Sequence, residues 1–243
     1  MKKPYNVVSF SGGKDSTAML LRMIELDMPI DEIIFCDTTV EFPKMYEHIK
    51  RVEEYINRPI TRLTPKYDYE YYLLKKEVFH TRGIHKGEIT KGYGFTFFTS
   101  RWCTRIFKSV PIKKYLCDIS VDREIIEYIG IAADEPKRIH EKNYPLVEWG
   151  WTEKDCLEYC YSKGFDWNGL YKHFKRLSCW CCPLQRIHSW RKLRKIHPEL
   201  WAKLLGWEDE KMKENPLQKL TSKFSAHELD ARFAAEDRQL SLF

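Results

Sequence analysis

The sequence has no apolar stretch that approaches the roughly 20 residues of a transmembrane helix, and it has no internal repeat and no low-complexity tract. The apolar segment near the N-terminus, Tyr5–Phe10, is too short for the hydrophobic region of a secretory signal. We therefore expect a cytoplasmic protein without a membrane partner. In that reducing compartment we expect the eight cysteines to be thiols with a metal or redox role rather than a disulfide framework.

Two long segments contain no acidic residue, although the 243-residue chain contains 35 of them. These segments lie between Glu88 and Asp118 and from Lys172 to Pro198, and they contain fourteen of the 41 Lys and Arg residues. Without them, 27 basic and 35 acidic residues give the rest of the chain a net charge of −8. Positive charge concentrated in this way suits a polyanion or a phosphorylated small molecule.

The hydrophobic pattern predicts an α/β fold with an open, mostly parallel sheet, helices on both faces and a helical C-terminal region. Strands and helices alternate over the first quarter of the chain, as they do where parallel strands are joined by helical crossovers. Residues 67–98 are predicted as a helix followed by a loop. The predicted strands are Tyr5–Phe10, Glu32–Cys36, Ile60–Leu63 and Glu124–Ala133, and the predicted helices include Ser16–Leu26, one that begins at Pro43, one after Cys103, one that begins after Thr152, Arg186–Ile196, Pro198–Leu205 and Ala226–Leu240.

A loop with two glycines, Ser11–Ser16, connects the first predicted strand to the first predicted helix. Backbone amides and the helix dipole favour an anion at such a helix N-terminus, and glycine lets phosphate oxygens approach the backbone. Lys14 adds a positive charge beside these amides. The spacing matches neither a Walker A loop nor the G-x-G-x-x-G motif. We predict a phosphate-binding loop of another kind, and the alternative is an ordinary strand–helix turn with a solvated lysine.

The sequence Ser-Gly-Gly-Lys-Asp-Ser after a first strand resembles the pyrophosphate loop (PP-loop) of the N-type ATP pyrophosphatases. Within that superfamily it resembles the phosphoadenosine-phosphosulfate (PAPS) reductase family. Three later segments resemble the same family in the same order, so the resemblance extends from Tyr5 to about Gln185. These segments are Phe35–Pro43, Gly130–Arg138 and Tyr144–Tyr171.

The resemblance implies a site for an adenine nucleotide, either ATP or a sulfonucleotide (APS or PAPS), at the carboxyl ends of the strands. It also implies that Asp37 lies near the nucleotide or a Mg²⁺ ion, whereas the alternative for Asp37 is a helix cap or turn residue. Arg138 is expected to reach a phosphate or to remain solvated. The residues expected to bind the nucleotide are Ser11, Gly12, Gly13, Lys14, Asp15, Ser16, Asp37 and Arg138, and those expected to act in catalysis are Lys14, Asp15 and Asp37.

Cys103, Cys179 and Cys182 resemble the [4Fe–4S] ligands of the iron–sulfur branch of this family. The branch has a Cys-Cys pair where this chain has Trp102-Cys103, so one ligand is missing. Cys181, Cys160 and His173 are the candidates for a fourth ligand. Soft thiolates favour an iron–sulfur cluster or Zn²⁺, and thiols without a metal are the remaining alternative.

We divide the chain into two predicted domains. They are a nucleotide-binding α/β domain, 1–170, and a basic cysteine-containing segment with a helical extension, 171–243.

The expected reaction depends on a further cysteine. Sulfonucleotide reductases of this family attack the substrate sulfur with a thiolate near the C-terminus, whereas this sequence ends in Arg-Gln-Leu-Ser-Leu-Phe and its last cysteine is Cys182. We therefore expect cleavage of ATP to AMP and pyrophosphate, which activates an acceptor for sulfur transfer. The alternatives are a sulfonucleotide reductase that releases sulfite and a non-catalytic nucleotide-binding subunit of a larger complex.

Nucleic acid, either tRNA or DNA, is the expected acceptor, and a sulfur donor protein or a thiol reductant is the expected second partner. The two basic segments would then contact the nucleic acid backbone, so charge reversal at Arg191 and Arg194 is expected to weaken binding. Trp180 and Trp190 are candidates for stacking on bases, although core packing is favoured for Trp190. The alternative for the basic helix is an ordinary solvated face.

Overall fold

The computed structural model describes residues 2–81, 86–96, 101–177, 179–215 and 218–240. The chain forms two compact units that interleave along the sequence. The first unit comprises Met1–Pro65 and Ile106–Ser178, and the second comprises Lys66–Arg105 and Cys179–Phe243. The division into 1–170 and 171–243 stays a prediction. The structure groups residues 66–105 with the C-terminal segment, which the hydrophobic pattern does not indicate.

The first unit is built on a four-stranded parallel sheet with the strand order β3-β2-β1-β6. β1 therefore lies inside the sheet, and its two neighbours come from distant parts of the chain. A separate antiparallel hairpin, β4–β5, belongs to the second unit. The strands of the described residues are β1 (Lys3–Ser9), β2 (Glu32–Cys36), β3 (Thr61–Leu63), β4 (Glu77–Phe79), β5 (Ile89–Lys91) and β6 (Arg123–Ile129).

Helices account for most of the remaining regular structure, and together with the sheet they confirm the predicted α/β class. Two short stretches, Tyr71–Lys75 and Arg105–Ser109, are π-helical, and Pro136–Arg138 and Trp167–Gly169 are 3₁₀ turns. The α-helices of the described residues are α1 (Lys14–Glu25), α2 (Pro43–Ile56), α3 (Trp102–Thr104), α4 (Val110–Ile119), α5 (Pro145–Glu148), α6 (Glu153–Ser162), α7 (Leu170–His173), α8 (Ile187–Ile196), α9 (Pro198–Glu214) and α10 (Ala226–Leu240).

The core of the first unit explains why the central strands read as continuous apolar runs. Val7 and Val8 of β1 and Ile33 of β2 are each at most 2% exposed, because helices cover both faces of a parallel sheet. From α1, successive turns contribute Met19 and Met23 to the same core. The predicted elements between residues 5 and 63 are confirmed to within two residues of each boundary.

Residues 67–98 differ from the prediction. In place of a helix and a loop, the described part forms the π-helical turn Tyr71–Lys75 and the β4–β5 hairpin. Each hairpin strand has three residues, which is too short for an alternating pattern to be recognised in the sequence. α9 also extends to Glu214, beyond the predicted end at Leu205, because the helix continues through Gly206.

In the second unit the start of α10 is fixed by a buried acidic side chain of α9. The Glu208 carboxylate is 0% exposed and accepts hydrogen bonds from the backbone N–H groups of Ala226 and Leu220. A negative charge at a helix N-terminus satisfies amides that lack partners within the helix and interacts favourably with its dipole. Across the described ranges, no helix combines the length and the apolar character needed to cross a membrane.

Candidate functional site

The loop Ser11–Ser16 leads from β1 into α1 at the carboxyl edge of the sheet. Gly12 has φ +75°, and a Cβ atom there would lie 2.7 Å from Met45 Sδ, so this position requires glycine. Ser16 Oγ closes the loop, since it accepts a hydrogen bond from Ser11 N and donates one to Gly13 O, both at 3.1 Å. The loop is therefore a preformed turn at a helix N-terminus, which is the geometry that binds anions.

Lys14 is the first residue of α1, and its side chain is buried rather than solvated. Its Nζ lies 2.8 Å from Asp15 Oδ1 and 3.2 Å from Glu153 Oε1. Burial lowers the pKa of Lys14, but the attraction of Asp15 and Glu153 outweighs burial and raises the pKa above its ordinary value. Lys14 is therefore a fixed positive charge at the entrance of α1, which the solvated-lysine alternative did not anticipate.

Three carboxylates form a cluster at this lysine, and two of them, Asp15 and Glu153, contact its Nζ. Oxygen atoms of Asp15, Glu135 and Glu153 lie within 4.8 Å of one another. Burial raises the pKa of Asp15, and the negative charges of Glu153 and Glu135 add to this effect although Lys14 opposes it. Carboxylate oxygens of this kind are the hard ligands that Mg²⁺ prefers, so the donor set fits that ion.

Glu135 and Glu153 were missed as site residues by the sequence analysis. Glu135 follows β6, and Glu153 is the first residue of α6, after the N-cap residue Thr152, which forms a capping box with Asp155. Both glutamates lie within segments that carry the family resemblance, which is the signal that could have identified them. The tertiary fold alone brings them to Asp15, more than a hundred residues earlier in the chain.

Arg138 and Asp37 are both engaged within the protein. Arg138 is exposed, and its guanidinium contacts Glu135 at 2.7 Å. Asp37 Oδ1 accepts hydrogen bonds from Thr39 N at 2.7 Å and from Tyr46 Oη at 2.8 Å, so Asp37 stabilises the turn after β2. The turn-residue alternative accounts for these contacts of Asp37. The nucleotide-binding roles of Asp37 and Arg138 stay predictions.

In the second unit, four cysteines converge on one buried tyrosine. Tyr69 is 2% exposed, and its pKa is raised by burial and then by the charges of the surrounding cysteines. Tyr69 is also hydrogen-bonded to Cys181, whose own pKa is raised well above its usual range by burial. All four predicted metal ligands therefore lie in the surroundings of Tyr69, and a metal bound by them stays a prediction. The cysteines close enough to act on Tyr69 are Cys181, Cys103, Cys179 and Cys182.

The spacing of these sulfur atoms bears on the metal. A zinc ion with Zn–S bonds of about 2.3 Å would hold tetrahedral ligands roughly 3.8 Å apart. Among the described residues, the group of three or more ligand atoms within 4.8 Å of one another is the carboxylate group, and no set of three cysteines meets that limit. In their present positions these sulfurs do not form a closed tetrahedral zinc site, whereas their thiolate chemistry suits both zinc and an iron–sulfur cluster, so the identity of the metal stays a prediction.

Two of the candidate fourth ligands belong to the other unit. Cys160 is buried in α6, where its Sγ contacts the Lys14 carbonyl oxygen at 3.5 Å. His173 ends α7, also in the first unit. Cys181 shares the second unit with Cys103, Cys179 and Cys182, and it is the candidate that the fold places beside them.

Several aromatic rings pack against one another in the second unit, near the four cysteines in sequence. Trp102, at the position of the missing family cysteine, has its ring centroid 5.0 Å from that of Tyr69, and its Nε1 donates to Gly94 O. Trp180 is 4% exposed and stacks on Trp207 at 5.1 Å, so its ring is not presented to a base and the stacking prediction for Trp180 is wrong. Trp190 is 0% exposed, in agreement with the core interpretation.

The two arginines that were expected to contact nucleic acid are ion-paired with α10. Arg194 lies 2.7 Å from Asp230 and 2.8 Å from Asp237, and Arg191 pairs with Glu236. These acidic residues follow the basic segment in the sequence, and the charge count of the segment alone does not include them. Arg191 and Arg194 therefore hold α8 against α10, and their expected contribution to nucleic acid binding stays a prediction.

The fold and the loop define a class of α/β protein with a glycine turn and a helix N-terminus at the carboxyl edge of a parallel sheet. Residues 5–185 match the model of the phosphoadenosine phosphosulfate reductase domain, so the chain belongs to this family of the PP-loop superfamily. Members of the family are enzymes, and the family implies a nucleotide substrate.

The chain is also similar to individual proteins. An uncharacterised protein of Methanocaldococcus jannaschii is 30% identical over 223 residues, which are 86% of this chain and 42% of that protein. An uncharacterised nin region protein of Escherichia phage lambda is 33% identical over 176 residues, which are 66% of this chain and 60% of that protein. The chain spans about half the length of the curated relatives it matches.

A solved structure shares the fold. The phosphoadenylyl-sulfate (PAPS) reductase from Candida auris, determined as a phosphate complex, aligns with a TM-score of 0.51 and 18% sequence identity. The alignment covers 73% of this chain and 82% of that chain. This similarity confirms the fold class of the sequence analysis.

Proposed function

We propose that the chain binds ATP at Ser11–Ser16 and cleaves it to AMP and pyrophosphate in order to activate an acceptor for sulfur transfer. The observation that carries this proposal is the position of Lys14, a buried cation at a helix N-terminus beside three carboxylates. A polyphosphate with a divalent cation matches that arrangement of charges better than a single phosphate does. The family, and the Candida auris reductase determined as a phosphate complex, support a phosphorylated ligand for this chain.

The residues have distinct roles in this reaction. An acceptor oxygen attacks the α-phosphorus of ATP, the bond to the β-phosphate oxygen breaks, and pyrophosphate leaves with the electron pair. Lys14 and the loop amides stabilise the charge that develops on the leaving group. Asp15, Glu135 and Glu153 would hold Mg²⁺, which neutralises phosphate charge when bound. A sulfur nucleophile from a donor protein or a thiol then displaces AMP from the acceptor.

The four-cysteine site is proposed to hold a [4Fe–4S] cluster with Cys181 as the fourth ligand. The shared surroundings of the four cysteines at Tyr69 support a soft-metal site, and the resemblance to the iron–sulfur branch of the family supports the cluster. Asp37 and Arg138 are retained as nucleotide contacts of the proposal, although their present partners lie within the protein.

The proposed acceptor is a nucleic acid, tRNA or DNA. Exposed basic residues remain in both acid-free segments after the pairing of Arg191 and Arg194 is taken into account. Within the described ranges no ion pair is recorded for these side chains, so their charge is available to a polyanion. They are Arg101, Arg105, Lys113, Lys114, Lys172, Lys175, Arg176, Arg186 and Lys195.

A second candidate function is reduction of a sulfonucleotide with release of sulfite. The solved reductase of the same fold and the family description favour it. In that case the loop would bind APS or PAPS, and a thiol reductant would be the second partner. The two functions differ in the product, which is pyrophosphate in one and sulfite in the other.

Anaerobically purified protein would be incubated with α-labelled ATP and bulk tRNA or DNA, and separately with sulfur-labelled PAPS and a thiol. We expect acceptor-dependent AMP and pyrophosphate from ATP. Lys14→Gln should abolish this activity, whereas Lys154→Gln, at an exposed position of α6, should retain it. Sulfite from PAPS with no pyrophosphate from ATP would replace the proposal with the reductase function, and equal activity of Lys14→Gln would contradict the loop assignment.

A further inference from the structure

A short aromatic segment, Trp167–Tyr171, holds the phosphate-binding loop from one side. Trp167 Nε1 donates a hydrogen bond to the Gly12 carbonyl oxygen, and the Lys14 backbone N–H donates one to the Tyr171 hydroxyl, each at 2.8 Å. These two bonds meet the loop on either side of Gly13. We propose that Trp167 and Tyr171 are positioning residues that preset the loop for the phosphates of a nucleotide. This inference rests on the proposed function of the loop.

The two hydrogen bonds fix two successive peptide planes. The Gly12 carbonyl and the Gly13 N–H belong to one planar trans peptide and point in opposite directions. When Trp167 holds that carbonyl, the Gly13 N–H is turned away from Trp167. Tyr171 fixes the next plane through the Lys14 N–H. Glycines at positions 12 and 13 would otherwise leave these planes free to rotate, because glycine accepts many backbone conformations.

The segment is itself rigidly supported. The Trp167 ring is 1% exposed and stacks on the His48 ring at 4.3 Å, while Tyr171 packs edge-on against Trp167 at 4.7 Å. His48 in turn is hydrogen-bonded to Thr17 of α1 at 3.1 Å. The supporting contacts therefore begin and end on the loop and its helix, so that the aromatic side chains cannot move without disturbing α1.

The backbone of the segment is strained at the residues that reach the loop. Trp167, Asn168 and Gly169 have φ values of +51°, +49° and +81°, which place three successive residues in the left-handed region. This region is unfavourable for a tryptophan, and such strain persists only where surrounding contacts enforce it. Here the strained turn aims the indole N–H at Gly12, and the asparagine is held by Glu47 through its amide at 2.8 Å.

The opposite role would be competition, in which the Tyr171 hydroxyl occupies an amide that a phosphate oxygen needs. Competition requires a side chain that can leave, whereas Tyr171 lies against the buried Trp167 ring and its pKa is raised mainly by burial. Positioning and competition predict opposite changes in affinity when the hydroxyl is removed. Tyr171→Phe separates them, because it keeps the ring and its packing.

The test compares ATP with adenosine, which has no phosphate, by calorimetric titration of the full chain. We expect Tyr171→Phe to bind ATP about tenfold more weakly, because the variant loses one hydrogen bond that orders the loop. Its affinity for adenosine should equal that of the wild type. Trp167→Phe should behave as Tyr171→Phe does, with weaker binding of ATP and unchanged binding of adenosine. Tyr161→Phe is the matched control, since Tyr161 is an exposed tyrosine of α6, and it should leave both affinities unchanged.

Unchanged or tighter ATP binding by Tyr171→Phe would overturn the positioning role, and tighter binding would establish competition. An equal loss of ATP and adenosine affinity would assign Tyr171 a general structural role and would also overturn the inference. A wild-type chain that binds neither ATP nor a sulfonucleotide would instead refute the proposed function and this inference with it. The two failures are therefore distinguishable by the behaviour of the wild type.

Discussion

Gly130, directly after β6, lies so close to Ser16 in the first turn of α1 that no side chain fits at residue 130. A Cβ atom at Gly130 would lie 2.7 Å from Ser16 Cα and 2.8 Å from Ser16 N. Both contacts are to backbone atoms, which cannot turn aside as the end of a side chain can. The end of β6, which leads to the segment that carries Glu135, is thereby held directly against the helix that begins at the loop Ser11–Ser16.

We expect Gly130→Ala to displace the start of α1 or the end of β6, and so to impair the loop. The variant should lose about 1–3 kcal/mol of unfolding free energy through overpacking, and its ATP affinity should fall. Gly206→Ala is the matched control, because no atom lies within 4 Å of its Cβ position in α9. That change should stabilise the protein by up to about 1 kcal/mol, since alanine favours helix. Urea unfolding and nucleotide titration would measure both effects, and wild-type stability and affinity of Gly130→Ala would contradict the close contact.

His48 makes the stability of the first unit depend on pH. Burial and the nearby Arg51 lower its pKa from 6.5 to about 3, and its Nδ1 is buried without a hydrogen-bond partner among the described atoms. Between these two values the unfolded chain binds a proton at His48 and the native chain does not. The contribution is therefore fully present above pH 6.5 and is lost as the pH falls toward 3, at up to about 1.4 kcal/mol per pH unit.

The measurement is the free energy of unfolding in urea at several pH values between 4 and 7. His48→Gln should flatten the slope by about one proton, whereas His188→Gln, at an exposed position of α8, should leave it unchanged. An identical pH slope in His48→Gln and the wild type would show that His48 is not kept neutral by the fold.

Arg194 and Lys195 are neighbours in α8, and we expect Arg194 to contribute to stability and Lys195 to nucleic acid binding. Arg194→Glu would place a negative charge beside Asp230 and Asp237, so we expect it to lower stability by about 1–2 kcal/mol. Lys195 is exposed, and Lys195→Glu should change stability by less than about 0.5 kcal/mol. If nucleic acid binds this segment, Lys195→Glu should weaken binding and reduce the slope of log K against log salt by about one.

Urea unfolding and salt-dependent titrations with tRNA and DNA would test this pair of variants. If Arg194→Glu keeps full stability but binds nucleic acid more weakly, Arg194 contacts the nucleic acid and its ion pairs with α10 contribute little to stability. Full nucleic acid affinity in Lys195→Glu would remove Lys195 from it.

Metal content should depend on the cysteines that surround Tyr69. We expect Cys103→Ala, Cys179→Ala and Cys182→Ala to lose iron, because each removes a soft ligand from the same site. Cys181→Ala tests the fourth position, and Cys117→Ala, at an exposed position of α4, is the control that should keep its metal. Elemental analysis and ultraviolet–visible spectra of anaerobically purified variants would measure this. Stoichiometric zinc in the wild type would favour the closed zinc site, and wild-type metal in all four variants would eliminate the cysteine site.

The sequence determined the elements whose pattern is local. β1, the loop Ser11–Ser16 and α1 are contiguous, so their apolar spacing and glycines indicate a strand, a turn and a helix without knowledge of distant residues. The same applies to β2 and to the capped start of α6 at Thr152. The family could also be predicted from the sequence, because its motifs occur in a fixed order along the chain.

Only the tertiary structure decided which side chains meet. Glu135 and Glu153 reach Asp15 because β6 lies beside β1 in the sheet and places the segments that follow it at the start of α1. Arg194 is ion-paired because α10 supplies two carboxylates that no count over the basic segment could include. Pairing across the sheet and between helices depends on residues far apart in sequence, whereas periodicity and turn chemistry depend on neighbours. The loop Ser11–Ser16 could therefore be predicted from the sequence, whereas the carboxylates that surround it could not.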